Sequence, residues 1–282
     1  MDTPRNLNLS ATADRLQEFI RATVEAAGIS RLAVALSGGV DSSVAAALAA
    51  LALGPSRIHA LLLPYRDWHV SGSQRARELA DALSIPAEQV AEIDIAPMVD
   101  SFLVALRLPP AGSPADESTP EAAVRTGNIM ARVRMIVLFD HGRRHRALVL
   151  GTENRSEHYL GYFTRFGDEA SDLEPLRGLF KTEVVQLARY LGLPPSIVDA
   201  APSAGLWQGQ TDEGEFGFTY AEADSVLHAM FDRQWKEDEI VRLGIPHDIV
   251  RKVMAWVRRV EFKRQPPHLG PGPVPAGDRP AQ

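Results

Sequence analysis

The chain predicts an α/β fold, a doubly wound parallel sheet flanked by helices, with extra helices at its C-terminus. Three observations carry that expectation. Short apolar runs with little polar alternation stand at Leu32–Leu36, Ile58–Leu63 and Ala147–Leu150, the pattern of strands buried on both faces. Segments of helical spacing separate these runs, so strand and helix alternate. Glycine closes the first and last runs, at Gly38-Gly39 and at Gly151.

Residues 10–27 read as an amphipathic helix, with Ser10 or Thr12 as its cap, Leu16, Phe19, Ile20 and Val24 on one face, and Gly28 at its end. Asp41–Leu53 is an alanine-rich helix stopped by Gly54-Pro55. Helical spacing returns over Ser73–Leu83. Gln89–Ile95 reads as a third strand and Pro97–Leu106 as a helix. Residues 109–120, rich in Pro, Ser and Ala, read as a mobile surface loop. A long helix spans Glu121–His145. Residues 152–179 read as loop, Lys181–Leu191 as a helix, and 203–219 as a polar, glycine-containing loop. Helices over roughly 220–232, 235–243 and 246–261 complete a single domain of residues 1–264. Residues 265–282 carry six prolines and are expected to be an extended or disordered tail.

Composition narrows the chemistry. The 282 residues are 45% hydrophobic, carry a net charge of −6 and contain no cysteine. Thiolate zinc sites, iron–sulfur clusters and cysteine nucleophiles are therefore excluded, a cysteine-based glutaminase among them. The acidic balance disfavours nucleic acid and membrane surfaces as partners. The N-terminus has no apolar signal segment, and the longest apolar stretch, Val44–Leu53, is far short of the roughly 20 residues of a membrane span. A cytoplasmic location is expected.

The chemistry begins at Ser37-Gly38-Gly39-Val40-Asp41-Ser42-Ser43, between a buried strand and a helix. Two glycines let backbone amides approach a ligand closely. The following helix aims its N-terminal amides at the same point, and three serines add hydroxyl donors, so the segment suits phosphate. Asp41 would repel phosphate unless it holds Mg²⁺. The plain alternative is a tight turn whose Asp and Ser cap the helix.

SGGVDSS resembles the pyrophosphate loop of the ATP pyrophosphatases, which transfer AMP to a substrate oxygen. Further blocks resemble the NAD synthetase family in particular. They are Gly127-Asn128 through Met135, with Arg132 and Arg134, then Gly151–Glu157, Gly161–Asp168 and Asp172–Leu176. Lys181-Thr182, Pro202–Glu213 and Phe262-Lys263-Arg264 follow. They come in the family's order and cover about residues 30–267.

The resemblance implies an adenine-nucleotide α-hydrolase-like fold. It implies ATP binding by Ala35, Leu36, Ser37, Gly38, Gly39, Val40, Asp41, Ser42, Thr152, Lys181 and Ser203. Deamido-NAD falls to Arg132, Arg165, Asp172, Phe262 and Lys263, and Mg²⁺ to Asp41 and Glu157. Asp41, Lys181 and Asp172 are the implied catalytic residues. Ser203 stands where relatives often have Thr, Arg165 where Lys is common, and Phe262 where many have His. Arg132 and Arg134 lie about 200° apart on a helix, so only one of them faces a given cleft. Asp172 precedes an apolar stretch that would raise its pKa, and it is a candidate to take a proton from ammonium.

The implied reaction is ammonia-dependent NAD synthesis. The nicotinate carboxylate attacks the α-phosphorus of ATP, and ammonia then displaces AMP. The loop 204–217, with Gly205, Gly209, Gly214 and Gly217 as hinges, and the segment 152–175 are expected to close over the adenylate and to be the least ordered parts of an empty site. The resemblance implies a homodimer. Phe139, Trp207, Tyr220, Phe231, Trp235 and Trp256 either cover such an interface or pack the terminal helices. The competing readings are a tRNA-modifying adenylating enzyme of the same loop type and a non-catalytic nucleotide-binding protein.

Overall fold

A computed structural model describes residues 4–68, 70–116, 119–203, 210–265, 267 and 270. Helix α1 (Leu9–Ala26) opens the fold. Its cap is Asn8, whose side chain accepts the Ala11 N–H at 3.0 Å, rather than Ser10 or Thr12. An Asx side chain just ahead of the first turn satisfies an amide that the helix itself cannot.

Strands β1 (Arg31–Ala35), β2 (Ile58–Leu62), β3 (Val90–Glu92) and β4 (Ala147–Val149) pair in parallel in the order β3-β2-β1-β4. The third strand is shorter than Gln89–Ile95, although its pairing continues past Glu92: Ile93 N–H donates to Leu62 O and Ile95 N–H to Pro64 O, each at 2.9 Å. The sheet is wound in both directions from β1, and its crevice opens at the carboxyl ends of β1 and β4.

Alternation along β1 sends Leu32 and Val34 to one face and Ala33 to the other. On the first face pack α1, α2 (Val40–Leu53), α3 (Val70–Ala82) and α7 (Lys181–Tyr190). Alanines 45, 46, 47 and 49 of α2 are buried to 2% exposure or less, so this helix can lie close against its neighbours on several sides. On the second face α4 (Ala96–Ala105) and α5 (Pro120–His145) cover Ala33 and Leu61 with Val99, Leu103, Met130 and Val133.

The remaining helices are α6 (Arg155–Leu160), α8 (Pro195–Val198), α9 (Asp212–Phe216), α10 (Tyr220–Phe231), α11 (Glu237–Val241) and α12 (His247–Arg259). Helices α6, α9, α10, α11 and α12 enclose a third hydrophobic cluster around Phe180, Phe216, Phe218 and Tyr220. Much of the late aromatic content packs here. Phe231 stacks on Tyr159 with centroids 3.8 Å apart, and Trp256 meets Phe216 edge-on at 5.1 Å. Trp235 keeps 39% exposure, Phe139 packs in the second-face core, and Trp207 lies outside the described residues.

The segment read as a mobile loop at 109–120 is tied down where it is described. Ala111 joins the core of the second face. The buried Asp116 accepts the Thr126 hydroxyl at 2.5 Å and the Gly112 N–H at 3.0 Å. Among the described residues, no helix is long and apolar enough to cross a membrane.

Candidate active site

The crevice holds a cavity of about 500 Å³, a volume suited to a small-molecule ligand. Its floor is the turn between β1 and α2. Ser42 Oγ accepts the Ser37 N–H at 3.3 Å, and Ser37 Oγ accepts the Gly39 N–H at 3.2 Å, so the serines brace the turn from within. Gly39 ends the turn without a side-chain cap, which leaves first-turn amides of α2 for an anion. Gly38 adopts φ +76°, and a Cβ there would lie 2.2 Å from Gly72 O. Arg75 Nε donates to Gly38 O at 2.9 Å and holds the turn from the α3 side.

Opposite the turn stands Lys181, the first residue of α7. Its Nζ lies 2.5 Å from Asp41 Oδ2 and 3.0 Å from Glu157 Oε1. Asn154 Nδ2 donates to Asp41 Oδ1 at 2.8 Å, and Asn154 also caps α6 in a capping box with Glu157. A single Asn thus sets both carboxylates. Burial works to lower the Lys181 amine, but Asp41, Glu157 and Asp212 outweigh it and hold the lysine above its ordinary value. Burial, reinforced by Asp41 and Asp212, raises Glu157 against the pull of Lys181. Tyr220 closes this wall: its ring lies 5.1 Å from Lys181 Nζ, and its hydroxyl donates to Asp212 at 3.0 Å.

The backbone behind Lys181 is fixed by Asp224. This buried carboxylate accepts the Ser156 hydroxyl, the Thr182 N–H at 2.9 Å and the Thr182 hydroxyl at 2.8 Å. Ser156 Oγ in turn accepts the Lys181 N–H at 2.8 Å. The start of α7 is thereby tied to α6 and α10.

At the end of β4, a Cβ on Gly151 would lie 2.0 Å from Glu174 Oε1, so a larger residue there has to displace the Glu174 carboxylate. Glu174 accepts the Glu153 N–H at 3.1 Å and the Ser171 hydroxyl at 2.7 Å. Burial pushes Glu174 from 4.5 up to about 7. Between those values the folded protein keeps a proton that the unfolded chain has lost. Stability therefore falls as pH rises through the window, by at most about 1.4 kcal/mol per unit from this group. Glu174→Gln should remove that component, and urea unfolding of both proteins across the window measures it.

Of the expected ATP residues, Ala35, Leu36, Ser37, Gly39, Val40, Asp41, Ser42, Thr152, Lys181 and Ser203 all line the cavity, with Gly38 shaping the turn from behind. The expected deamido-NAD residues are more dispersed. Lys263 lines the cavity, and its amine donates to Gly161 O and Phe163 O. Lys263 and Arg165 together line a second, smaller cavity of about 370 Å³. Arg132 is exposed and donates to Arg165 O at 3.1 Å, and Phe262 is 62% exposed. Asp172 is exposed and accepts the Val149 N–H at 2.7 Å, at the edge of β4. The burial expected from its apolar neighbours is absent.

Of the arginine pair, Arg134 is the one that lines the main cavity. It donates to Leu63 O at 3.1 Å, and burial lowers it to about 10, so it stays charged at neutral pH. Asn154, Asp212, Tyr220 and Arg75 also belong to the site. Asn154 and Asp212 lay inside blocks already singled out, whereas Tyr220 stood out only as one of the late aromatics and Arg75 not at all. Residues 204–209 of the expected closing loop, with Gly205 and Gly209, lie outside the described residues. Gly214 sits within α9 and Gly217 follows it at φ +72°. Segment 152–175 carries α6 and builds the cavity wall.

A glycine-serine turn of a form suited to phosphate, at the switch point of a parallel sheet and faced by a buried cation between carboxylates, fits the α/β enzymes that act on a nucleoside triphosphate. Comparison with known proteins narrows the class. Residues 12–267 match the NAD synthase family, and the chain belongs to it. The NH(3)-dependent NAD(+) synthetase of Trichlorobacter lovleyi is 38% identical over 93% of this chain and 90% of its own. Among solved structures, an NMN synthetase from Francisella tularensis aligns with a TM-score of 0.78 at 33% identity, covering 94% of this chain and 99% of that one. An NH3-dependent NAD synthetase from Campylobacter jejuni, solved with a nitrate ion, aligns at 0.76 and 26% identity, covering 94% and 100%.

Proposed function

We propose that this chain makes NAD⁺ by amidating deamido-NAD with ammonia, using ATP and passing through an adenylate. The carrying observation is the convergence of Asp41, Glu157 and Lys181 on the β1–α2 turn in a member of this family.

The nicotinate carboxylate attacks the α-phosphorus of ATP, forming a C–O–P bond and releasing pyrophosphate. Negative charge builds on the departing phosphates. In this reading the Lys181 ammonium, the turn amides and the first turn of α2 stabilise that charge, which is supported by their standing on the same cavity before any ligand arrives. The acyl-adenylate is a mixed anhydride with AMP as leaving group. Neutral ammonia adds to its carbonyl, loses a proton and expels AMP, leaving the amide. No protein nucleophile is needed, in keeping with a chain that contains no cysteine.

Mg²⁺ suits the donors present. Asp41 and Glu157 offer hard carboxylate oxygens, and both already turn toward a cation. These two residues would hold the ion, which when bound neutralises phosphate charge.

We assign Arg132, Arg165, Phe262, Lys263 and Asp172 to the acceptor, deamido-NAD. Asp172 is kept as an acceptor contact alone, since its exposure gives a proton-accepting role no support. A homodimer accommodates the exposure of Arg132, Asp172 and Phe262. Support for a second copy comes from Phe102 and Val104 on α4, from Leu106 just after it, and from Val124 and Ile136 on the adjacent α5. All five are exposed apolar side chains. The setting is the cytoplasm, without nucleic acid or membrane.

The adenylate has an isotopic signature. Deamido-NAD labelled with ¹⁸O in the nicotinate carboxylate should deliver one labelled oxygen to AMP. Label found only in pyrophosphate or released as water would refute the proposed route. The Francisella protein is an NMN synthetase. Nicotinate mononucleotide is therefore the second acceptor to compare, and deamido-NAD is expected to be the better one.

A further inference from the structure

Three histidines meet on the α5 side of the sheet, away from the cavity. His59 is the second residue of β2 and stands in register with Ala33, so it faces α5. His141 and His145 lie four residues apart near the end of α5 and share one face of that helix. Their rings stack with centroids 4.2 Å apart, and the His59 ring lies 4.6 Å from that of His145 and 5.3 Å from that of His141. His59 Nδ1 faces His141 Nε2 at 3.4 Å. One ring nitrogen from each residue falls within 4.8 Å of the other two.

A histidine kept only for packing usually anchors its nitrogens on a carbonyl, carboxylate or water. His59 does neither. It is 6% exposed, and among the described residues its Nε2 is buried without a hydrogen-bond partner and its Nδ1 faces only another imidazole. The charged neighbours are Arg31, Arg144 and Asp140. Burial, then the facing imidazoles and Arg31, push His59 down to about 4, and burial also lowers His141. A metal binds an imidazole through the lone pair of its neutral form, and each of the three rings offers one such nitrogen to the common point.

We infer that His59, His141 and His145 form a binding site for a divalent transition-metal cation of the zinc type. The donor set is all imidazole, which suits Zn²⁺, Co²⁺ or Ni²⁺ and not the oxygen-seeking Mg²⁺ or Ca²⁺. The 3.4 Å nitrogen pair matches the edge of a tetrahedron with metal–nitrogen bonds of about 2.0–2.1 Å. His145 must close in on that pair. Being half-buried on the last turn of α5, it has room to do so. The partial exposure of His141 and His145 gives the ion an entry path and leaves a fourth position for water. A bound ion would pin the end of α5 to β2. Arg134 lies seven residues before His141 on the same helix, about 10 Å along its axis.

The test uses the untagged full chain, stripped with chelator and titrated with Co²⁺ and then Zn²⁺. One equivalent of Co²⁺ should give the visible absorption of a tetrahedral nitrogen site. Zn²⁺ should displace it and raise the melting temperature. His145→Ala, remote from the cavity, should weaken Zn²⁺ binding by more than about tenfold, since even outer-shell partners are worth that much. Its NAD⁺ formation without transition metal should be unchanged. His141→Ala should weaken binding likewise, which covers the case of His59 variants failing to fold. Absence of a stoichiometric Co²⁺ spectrum, or equal binding by wild type and both α5 variants, overturns the inference.

Discussion

Lys181→Met should lower kcat for NAD⁺ formation by about two to three orders of magnitude, the usual cost of losing one preorganised charge donor. The lysine is held between Asp41 and Glu157 at 2.5 and 3.0 Å, so its ammonium is fixed before substrate arrives. Methionine keeps the length and apolar stem but removes the charge. The two carboxylates are then left facing each other. A fully uncompensated buried charge costs about 3–5 kcal/mol. The stability loss should fall short of this, because one carboxylate takes up a proton. Steady-state kinetics and urea unfolding on the same preparation separate the two effects. A variant that keeps kcat within a few-fold of wild type would remove Lys181 from the chemistry.

The second large effect falls on the β1–α2 turn and is stated as a contrast between adjacent glycines. Gly38→Ala places a methyl 2.2 Å from Gly72 O, a backbone atom of α3, at a residue with φ +76°. Left-handed backbone alone costs a non-glycine residue about 1–2 kcal/mol. The clash forces the turn or α3 to move. Misplacement by about 1 Å at a reacting centre costs on the order of a hundredfold in rate. Gly38→Ala should thus lose about that much in kcat/KM for ATP, along with stability. Gly39 has no positive φ, and its nearest obstruction is the movable Ser37 Oγ at 3.3 Å. Gly39→Ala should unfold within about 0.5 kcal/mol of wild type. Equal stability losses in the two variants would show that the close approach at Gly38 is not what holds the turn.

The sequence announces those elements whose signals are local. Strands β1, β2 and β4 fall within a residue of their apolar runs, because a strand buried on both faces has no choice of pattern. Helix α6 has six residues and α9 five, too few for periodicity to emerge from a glycine-rich stretch, so both read as loop. The 109–120 segment reads as mobile for its Pro and Ser content, yet Asp116 and Ala111 anchor it through contacts that no local pattern encodes.

The site divides in the same way. The SGGVDSS turn is legible from its residues alone. The meeting of Asp41 with Lys181, 140 positions apart, came only through resemblance to a family. Helix geometry said only that Arg132 and Arg134 do not share a face, so that one can enter a cleft while the other stays in solvent. Which one does depends on the rotation of α5 against the sheet, and it is Arg134. Tyr220 and Arg75 enter from elements with no chemical signature of their own.

The central claim is tested most directly by product analysis with the purified chain, ATP, Mg²⁺ and deamido-NAD, supplied with either ammonium or glutamine. The prediction is NAD⁺, AMP and pyrophosphate in equal amounts with ammonium, and no NAD⁺ with glutamine. Release of ADP in place of AMP, equal use of glutamine, or turnover confined to nicotinate mononucleotide would contradict it.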